Sequence, residues 1–293
     1  MVGWLIYSRS DVEKNKSYIQ FYIDEGKLRN ISIRLVLAED LVFGIQADQW
    51  YIACNNETVT RPDFAICRTI YPLLNKQLEL MGIPVFNNSL LAEICNDKAK
   101  TYQYVAQLGI PMVDTEFCKN SFIRDRLAEI KDPTVIKAVA GHGGSQVFLV
   151  QPGDTTQVEN FADGIMQRLK GADAVIQPLI GSRHQDLRVY VIGNKIICAV
   201  LRTAKEGFKS NFSLGGEVRL YDLSFDEISL VKRIINLFEI GMAGIDFIIG
   251  DNGELIFNEI EDVVGARMLY QCTDINLVGL YLDYIVVNMT WNK

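Results

Sequence analysis

Hydrophobic positions fall along this chain in two alternating rhythms. In the first 92 residues short apolar runs at 4–7, 31–37, 62–67 and 84–86 alternate with segments of helical spacing at 17–29 and 73–81. A compact apolar run reads as a buried strand, and apolar positions three and four apart read as one face of a helix. Their alternation predicts a small open α/β unit with a parallel sheet. Asn96-Asp97-Lys98 offers a helix cap, and that helix runs to Leu108 before Gly109-Ile110-Pro111. Strands at 134–139 and 146–150 then flank a glycine loop, and a helix over 158–169 follows. From about Ala174 the pattern is strand-rich, at 175–180, 187–192 and 195–201, with helices expected at 225–239 and 277–289. This half reads as α+β, with antiparallel or mixed sheets.

One segment of that half, GIDFIIGDNGELIFNEIED, brings acids together. Asn252-Gly253 signals a two-residue type I′ hairpin, because both residues tolerate positive φ. Asp251 would then pair with Glu254, and Asp246 would lie opposite Glu259. Side chains alternate along a strand, so Glu261 shares the face of Glu259. Opposed residues have Cβ atoms roughly 4.5–5.5 Å apart, where like charges repel. The neighbours Ile245, Phe247, Ile256 and Phe257 keep solvent from relieving the clash. Hard oxygen ligands with no His or Cys beside them suit Mg²⁺ or Mn²⁺. An edge hairpin whose acids face water fits the same residues equally well.

Composition narrows the setting. The chain has 293 residues, 49% hydrophobic and 22% charged, as expected of a soluble globular protein with room for two or three domains. A net charge of −7 speaks against nucleic acid or an anionic membrane as the main partner. No apolar run reaches the roughly 18 residues of a membrane span, and MVGWLIYSRSD reads as a strand rather than a signal peptide. The six cysteines form no CxxC, so reduced thiols in the cytoplasm are expected. Two isolated histidines, His142 and His184, suggest neither a zinc site nor a Ser-His triad.

Upstream of the hairpin lie candidate cations. Lys137 sits inside the apolar strand VIKAV, just before Gly141-His142-Gly143-Gly144. A lysine there must meet an anion or reach solvent, and glycines let backbone N–H groups approach phosphate oxygens. An edge-strand lysine beside an ordinary turn would look the same. The segment LRTAKEGFKSNFSLGGE combines Arg202, Lys205, Lys209 and Asn211 with a second glycine pair, as a phosphate clamp or as a solvated basic loop. Asp186 and Arg188 share one strand face, where a structural salt bridge is the simplest reading.

In order and spacing these pieces resemble the ATP-grasp superfamily, and within it the RimK-type glutamate ligases. The resemblance is carried by PDFAICRT, NDKAKTYQYVAQLGIP, VIKAVAGHGGSQVFLV, VIQPLIGSRHQDLRVYVIGNK, RTAKEGFKSNFSLGG and GIDFII…NEIED, over about residues 62–270. It implies an ATP-grasp fold, α/β then α+β. A small pre-ATP-grasp domain (1–92) would precede a central lid subdomain (93–174) and a C-terminal subdomain with the metal site (175–293). It also implies roles for residues at matching positions. Lys98 and Lys137 would grip ATP phosphates beneath a flap containing Gly143 and Gly144, with Lys205 in the clamp. Gln177, Pro178, Leu179 and Ile180 would form the hinge that reads adenine, and Asp186 would meet the ribose or nucleotide. Arg188 and Arg202 would face the phosphates and the reacting carboxylate, Asn211 would close near the γ-phosphate, and Asp246 and Glu259 would hold magnesium.

The implied reaction joins a small-molecule or peptide carboxylate to an amine through an acyl phosphate, using ATP with Mg²⁺ or Mn²⁺. A non-catalytic ATP-binding module and a small-molecule kinase on the same fold are alternatives, and nothing in the chain speaks against a homo-oligomer. One departure stands out. Where close relatives have Glu-x-Asn and a Ser-Pro-Gly-like loop, this chain has Glu259-x-Glu261 and Asp262-Val-Val-Gly265-Ala-Arg267. Glu261 could be a third metal ligand or could turn away. Arg267 could meet a substrate carboxylate or pair with Glu261 or Asp262, and Arg68 is a further substrate candidate.

Overall fold

The computed structural model describes residues 1–55, 57–142, 146–152, 158–204 and 217–291. The chain opens with β1 (Val2–Tyr7), α1 (Arg9–Leu28) and β2 (Ser32–Leu37). A hairpin of β3 (Leu41–Gln46) and β4 (Gln49–Cys54) with the short β5 (Glu57–Thr58) follows, then β6 (Phe64–Cys67), α2 (Pro72–Leu80) and β7 (Val85–Phe86). Strands β2-β1-β6-β7 form the expected parallel sheet. Its central strands are buried on both faces, which is why they read as unbroken apolar runs. Helix α1 begins well before residue 17, because its first two turns are polar and carry no apolar stripe. The β3–β4 hairpin left no turn signal either. It reverses at Ala47 and Asp48, both at positive φ, without glycine or asparagine.

Next come α3 (Ser89–Cys95) and α4 (Lys98–Ala106). Asp97 caps α4 by accepting from the Lys100 N–H, so Lys98 becomes its first helical residue. Then follow β8 (Glu116–Cys118), α5 (Ile123–Ala128), β9 (Thr134–Ala138), β10 (Val147–Val150), α6 (Val158–Leu169) and β11 (Ala174–Pro178). The sheet β10-β9-β11-β8 is antiparallel and packs with α5 and α6 around its own small core, including Ile123, Ile136, Val150 and Leu169.

The last part holds β12 (Gln185–Ile192), β13 (Lys195–Thr203), β14 (Glu217–Tyr221), α7 (Phe225–Ile235), β15 (Met242–Ile249), β16 (Leu255–Glu261), α8 (Arg267–Cys272) and α9 (Leu277–Trp291). The expected helix over 225–239 stops at Ile235, its start fixed by a capping box between Ser224 and Glu227. The strands form an antiparallel sheet, β14-β13-β12-β15-β16. One face, with Leu187, Val189 and Phe247, packs against α7 and Val105 of α4. The opposite face carries Tyr190, Val200 and Met242 into a core shared with Leu5 and Phe64 of the first sheet, Tyr22 of α1 and Leu277 of α9. By alternation, Asp186, Arg188, Gly244 and Asp246 lie on that second face, as its polar continuation.

The β15–β16 turn differs from expectation. The innermost pair is Ile249↔Leu255, leaving a five-residue connection in which Gly253 N–H donates to Gly250 O at 2.9 Å. Gly253 alone there has positive φ (88°), so this is not a type I′ turn. Asp251 does not pair with Glu254; its carboxylate accepts from the Ser182 N–H and hydroxyl. Asp246 nevertheless lies opposite Glu259, because Asn258 is an extra residue: Phe247↔Phe257 is followed directly by Asp246↔Glu259. Two departures from the simple count cancel.

Asn87, just beyond β7, joins the first sheet to this last one. Its amide donates to Met242 O (2.8 Å) and Asp262 O (2.9 Å) and accepts from the N–H groups of Gly241 and Met242. All six cysteines are free, and no described helix is long and apolar enough to cross a membrane.

Candidate active site

A cavity of about 390 Å³ lies where the β9–β11 sheet faces β12 and β16. Two lysines reach it from different elements. Lys98, at the start of α4, donates to Gly141 O at 2.7 Å and lies 3.4 Å from the Glu259 carboxylate. Lys137, on β9, donates to Asn258 Oδ1 at 2.9 Å. Burial pushes Lys137 down to about 8, helped by Lys98 and opposed by Glu259. Asn258 is the bulged residue, and its role could not be read from the sequence because the bulge itself carries no local signal.

On the sheet below, acids and arginines interlock. Asp246 is 1% exposed. Arg188 grips it bidentately, Nε to Oδ1 and Nη2 to Oδ2, both at 2.7 Å, and Arg202 Nη2 reaches Oδ2 at 2.8 Å. Burial opposes its charge, but the two guanidiniums prevail and hold its pKa at about 2. Arg202 Nε pairs with Asp186, and Arg188 Nη1 pairs with Glu261. The arginines line the cavity as expected, but they are bound to the chain's own carboxylates rather than held free for phosphate. The salt bridge expected between Asp186 and Arg188 is replaced, because antiparallel pairing sets Arg188 opposite Asp246 and Asp186 opposite Arg202.

The expected trio of metal carboxylates is also redistributed. Among the described residues no three His, Cys, Asp or Glu side chains gather as a metal-binding group. Glu259, 37% exposed, lines the cavity; its depth opposes ionisation, but Lys98, Lys137 and Arg188 keep its pKa lowered. Glu261 is drawn to Arg188 instead, and burial raises its pKa against that arginine's pull.

The hinge holds another correction. Leu179 N–H already donates to Pro133 O at 2.8 Å, so it is not available to a base. The Gln177 side chain is likewise committed, to Thr115 Oγ1 at 2.8 Å. Ile180 and Pro178 line the cavity. Arg267 is exposed at the cavity and makes no ion pair with Glu261 or Asp262. Arg68 does not line the cavity. It is buried beneath the 263–264 loop, donating to Val264 O at 2.8 Å with its guanidinium over the Tyr18 ring, so it supports the loop instead of facing a substrate. Lys205, Asn211, Gly143 and Gly144 lie outside the described residues.

A cavity between two antiparallel sheets, with two lysines above an acid–arginine floor, is the arrangement expected of an ATP-grasp enzyme. Residues 95–285 match the RimK-like ATP-grasp domain, and the chain belongs to that family of carboxylate–amine ligases. It is 32% identical over 216 residues to a probable alpha-L-glutamate ligase of Legionella pneumophila (strain Corby), covering 72% of this chain and 69% of that protein. It is 26% identical over 283 residues to an uncharacterized protein, MG011, of Mycoplasma genitalium, covering 95% and 90%. The ATP-grasp ligase PsnB, solved with a phosphomimetic variant of its minimal precursor, Mg and ADP, superposes with a TM-score of 0.70 at 17% identity, over 98% of each chain.

Proposed function

We propose that this chain is an ATP-dependent carboxylate–amine ligase working through an acyl phosphate. The observation that carries this reading is the convergence of Lys98, Lys137 and Glu259 on one cavity, over the Arg188–Asp246–Arg202 network. Lys137 rests on the neutral oxygen of Asn258, and Lys98 on that of Gly141 with Glu259 beside it; phosphate oxygens would displace the two neutral acceptors favourably. Ile180 is left as the backbone donor to the base. Glu259 offers hard oxygens to Mg²⁺ or Mn²⁺ in the cavity, and Asp246 would join it only by exchanging its arginine partners; the bound ion would neutralise charge on the phosphates.

In this reading the γ-phosphoryl passes from ATP to an oxygen of the substrate carboxylate, and ADP stays in the site until the amide has formed. The lysines hold the phosphates in line, and Arg188 and Arg202 steady negative charge at the floor. An amine then attacks the acyl carbon, phosphate departs and the amide remains. Arg267, exposed at the cavity and in no ion pair among the described residues, would meet a second anionic group on a substrate. The family's substrates range over small molecules and peptides, and the altered 262–267 loop gives no ground for assuming glutamate. A cytoplasmic setting agrees with the six free thiols. Glu261, whose departure from the family pattern could suggest a lost activity, is accounted for by its ion pair with Arg188.

The test is an ADP-release screen over paired carboxylates and amines, with hydroxylamine as trap. Release should require both partners, and hydroxamate should form when hydroxylamine replaces the amine. Lys137→Ala and Glu259→Ala should each lower turnover by about a thousandfold or more. A stable phosphorylated product would instead make the chain a kinase, and binding of ATP with no turnover would make it a regulatory module.

A further inference from the structure

The Glu261 carboxylate has a specific structural counterpart. Arg188 on β12 lies directly opposite Asp246 on β15, and two residues along β15 Gly244 lies opposite Glu261 on β16. The straight line from Arg188 to Glu261 therefore crosses Gly244. A Cβ at that position would meet Val264 Cγ2 at 2.8 Å first, and Arg188 Cδ and Nε at 3.2 and 3.3 Å. Glycine there makes room for Val264 and lets the arginine stem lie close over β15 toward the next strand.

The consequence is a guanidinium held on two sides. Nε and Nη2 donate to Asp246, while Nη1 lies in ion-pair contact with Glu261 without the geometry of a hydrogen bond. Asp246 accepts from two of its five N–H groups, so three stay available to a ligand in the cavity that Arg188 lines. Asp246 alone would fix one edge of the group but leave the Nη1 end to turn. Glu261 closes that freedom, and in doing so directs its own oxygens to an arginine.

We propose that Glu261 is a positioning residue for Arg188 rather than a metal ligand, so that the carboxylate unusual at this place in the family serves substrate binding through the arginine. The proposal rests on the ligase reading for its catalytic consequence, but not for its physical one. Asp246 by hydrogen bonds and Glu261 by charge flank Arg188, which lines the cavity, and removing either loosens the position of the N–H groups left for a ligand.

Three measurements on the full chain decide it, each for Glu261→Gln and Glu261→Ala. Mn²⁺ affinity in the presence of ADP, titrated calorimetrically, should stay within about twofold of the parent protein. The Nη–H resonances of Arg188, identified by their loss in Arg188→Lys, should change from slowly to rapidly exchanging. With a substrate pair in hand, KM for the carboxylate should rise about tenfold while KM for ATP holds. A loss of Mn²⁺ affinity of about tenfold or more would make Glu261 a ligand and overturn the proposal. Unchanged Arg188 resonances would overturn it equally. The first two readouts need no turnover, so the clamp can be judged even if no substrate pair is found, and an inactive but clamped protein would count against the ligase reading alone.

Discussion

Lys137 shows how one side chain couples stability to the chemistry proposed for it. Its pKa, lowered to about 8 by burial, means the folded protein releases this proton below the ordinary lysine value near 10.5. Between those values the unfolded chain binds more protons, so stability rises with pH across that window; below about pH 8 the buried charge is a standing cost. Lys137→Met should therefore raise the thermal midpoint at pH 7 and flatten its rise between pH 8 and 10, as scanning calorimetry would show. The same variant should weaken ATP binding by about a hundredfold, read by titration. Lys137 was legible in the sequence, since a lysine in an apolar strand needs a partner. Its resting acceptor, Asn258, was not. Arg188 was also legible as a site residue but not as the grip on Asp246, because that contact depends on β12 lying beside β15, a pairing of strands far apart in the chain.

Among the elements, the β15–β16 hairpin is the one whose outcome was foreseen for an incomplete reason. The Asn252-Gly253 signal located the reversal, and alternation gave the Asp246–Glu259 opposition. The wider turn and the bulge at Asn258 each shift the count, in opposite senses. The N-terminal half of α1 and the β3–β4 hairpin escaped notice for simpler causes: one is polar on the surface, and the other turns on residues that do not usually turn. The junction between β7 and β15 invites a direct measurement. Asn87→Ala removes two donated and two accepted hydrogen bonds at a buried site and strands the N–H groups of Gly241 and Met242. It should cost about 3 kcal/mol in urea unfolding. A cost under about 1 kcal/mol would mean water replaces the amide there.

For the molecule as a whole, the distribution of cores matters more than sequence order. The first sheet and the last share one buried cluster, from Leu5 and Tyr22 to Tyr190, Val264 and Leu277, while the first sheet's other face and the β10-β9-β11-β8 sheet each have a cluster of their own. A fragment of residues 1–92 keeps the Trp4–Ile6–Leu74–Leu78 cluster but exposes Leu5, Tyr22 and Phe64, so it should retain helical and strand signal by circular dichroism and unfold at lower urea than the full chain. In the full chain, backbone amides of β9 and β10 should exchange faster than those of β1 and β15. The alternating rhythm announced the parallel sheet and the strand-rich half; nothing in it could announce that one apolar face serves both.

The interlocked floor has a further consequence, for how ligands arrive. Among the described residues at the site, Asp186, Asp246, Glu259 and Glu261 offset Lys98, Lys137, Arg188 and Arg202, with Arg267 the one charge left over. Such a cleft projects little net field into solvent, so long-range attraction contributes little to capture. Nucleotide association should then be slow to respond to ionic strength, its rate changing by less than about twofold between 50 and 500 mM KCl in stopped flow. The cleft would recognise its nucleotide at contact distance, by exchanging internal ion pairs for new ones, and would not draw anions in from afar.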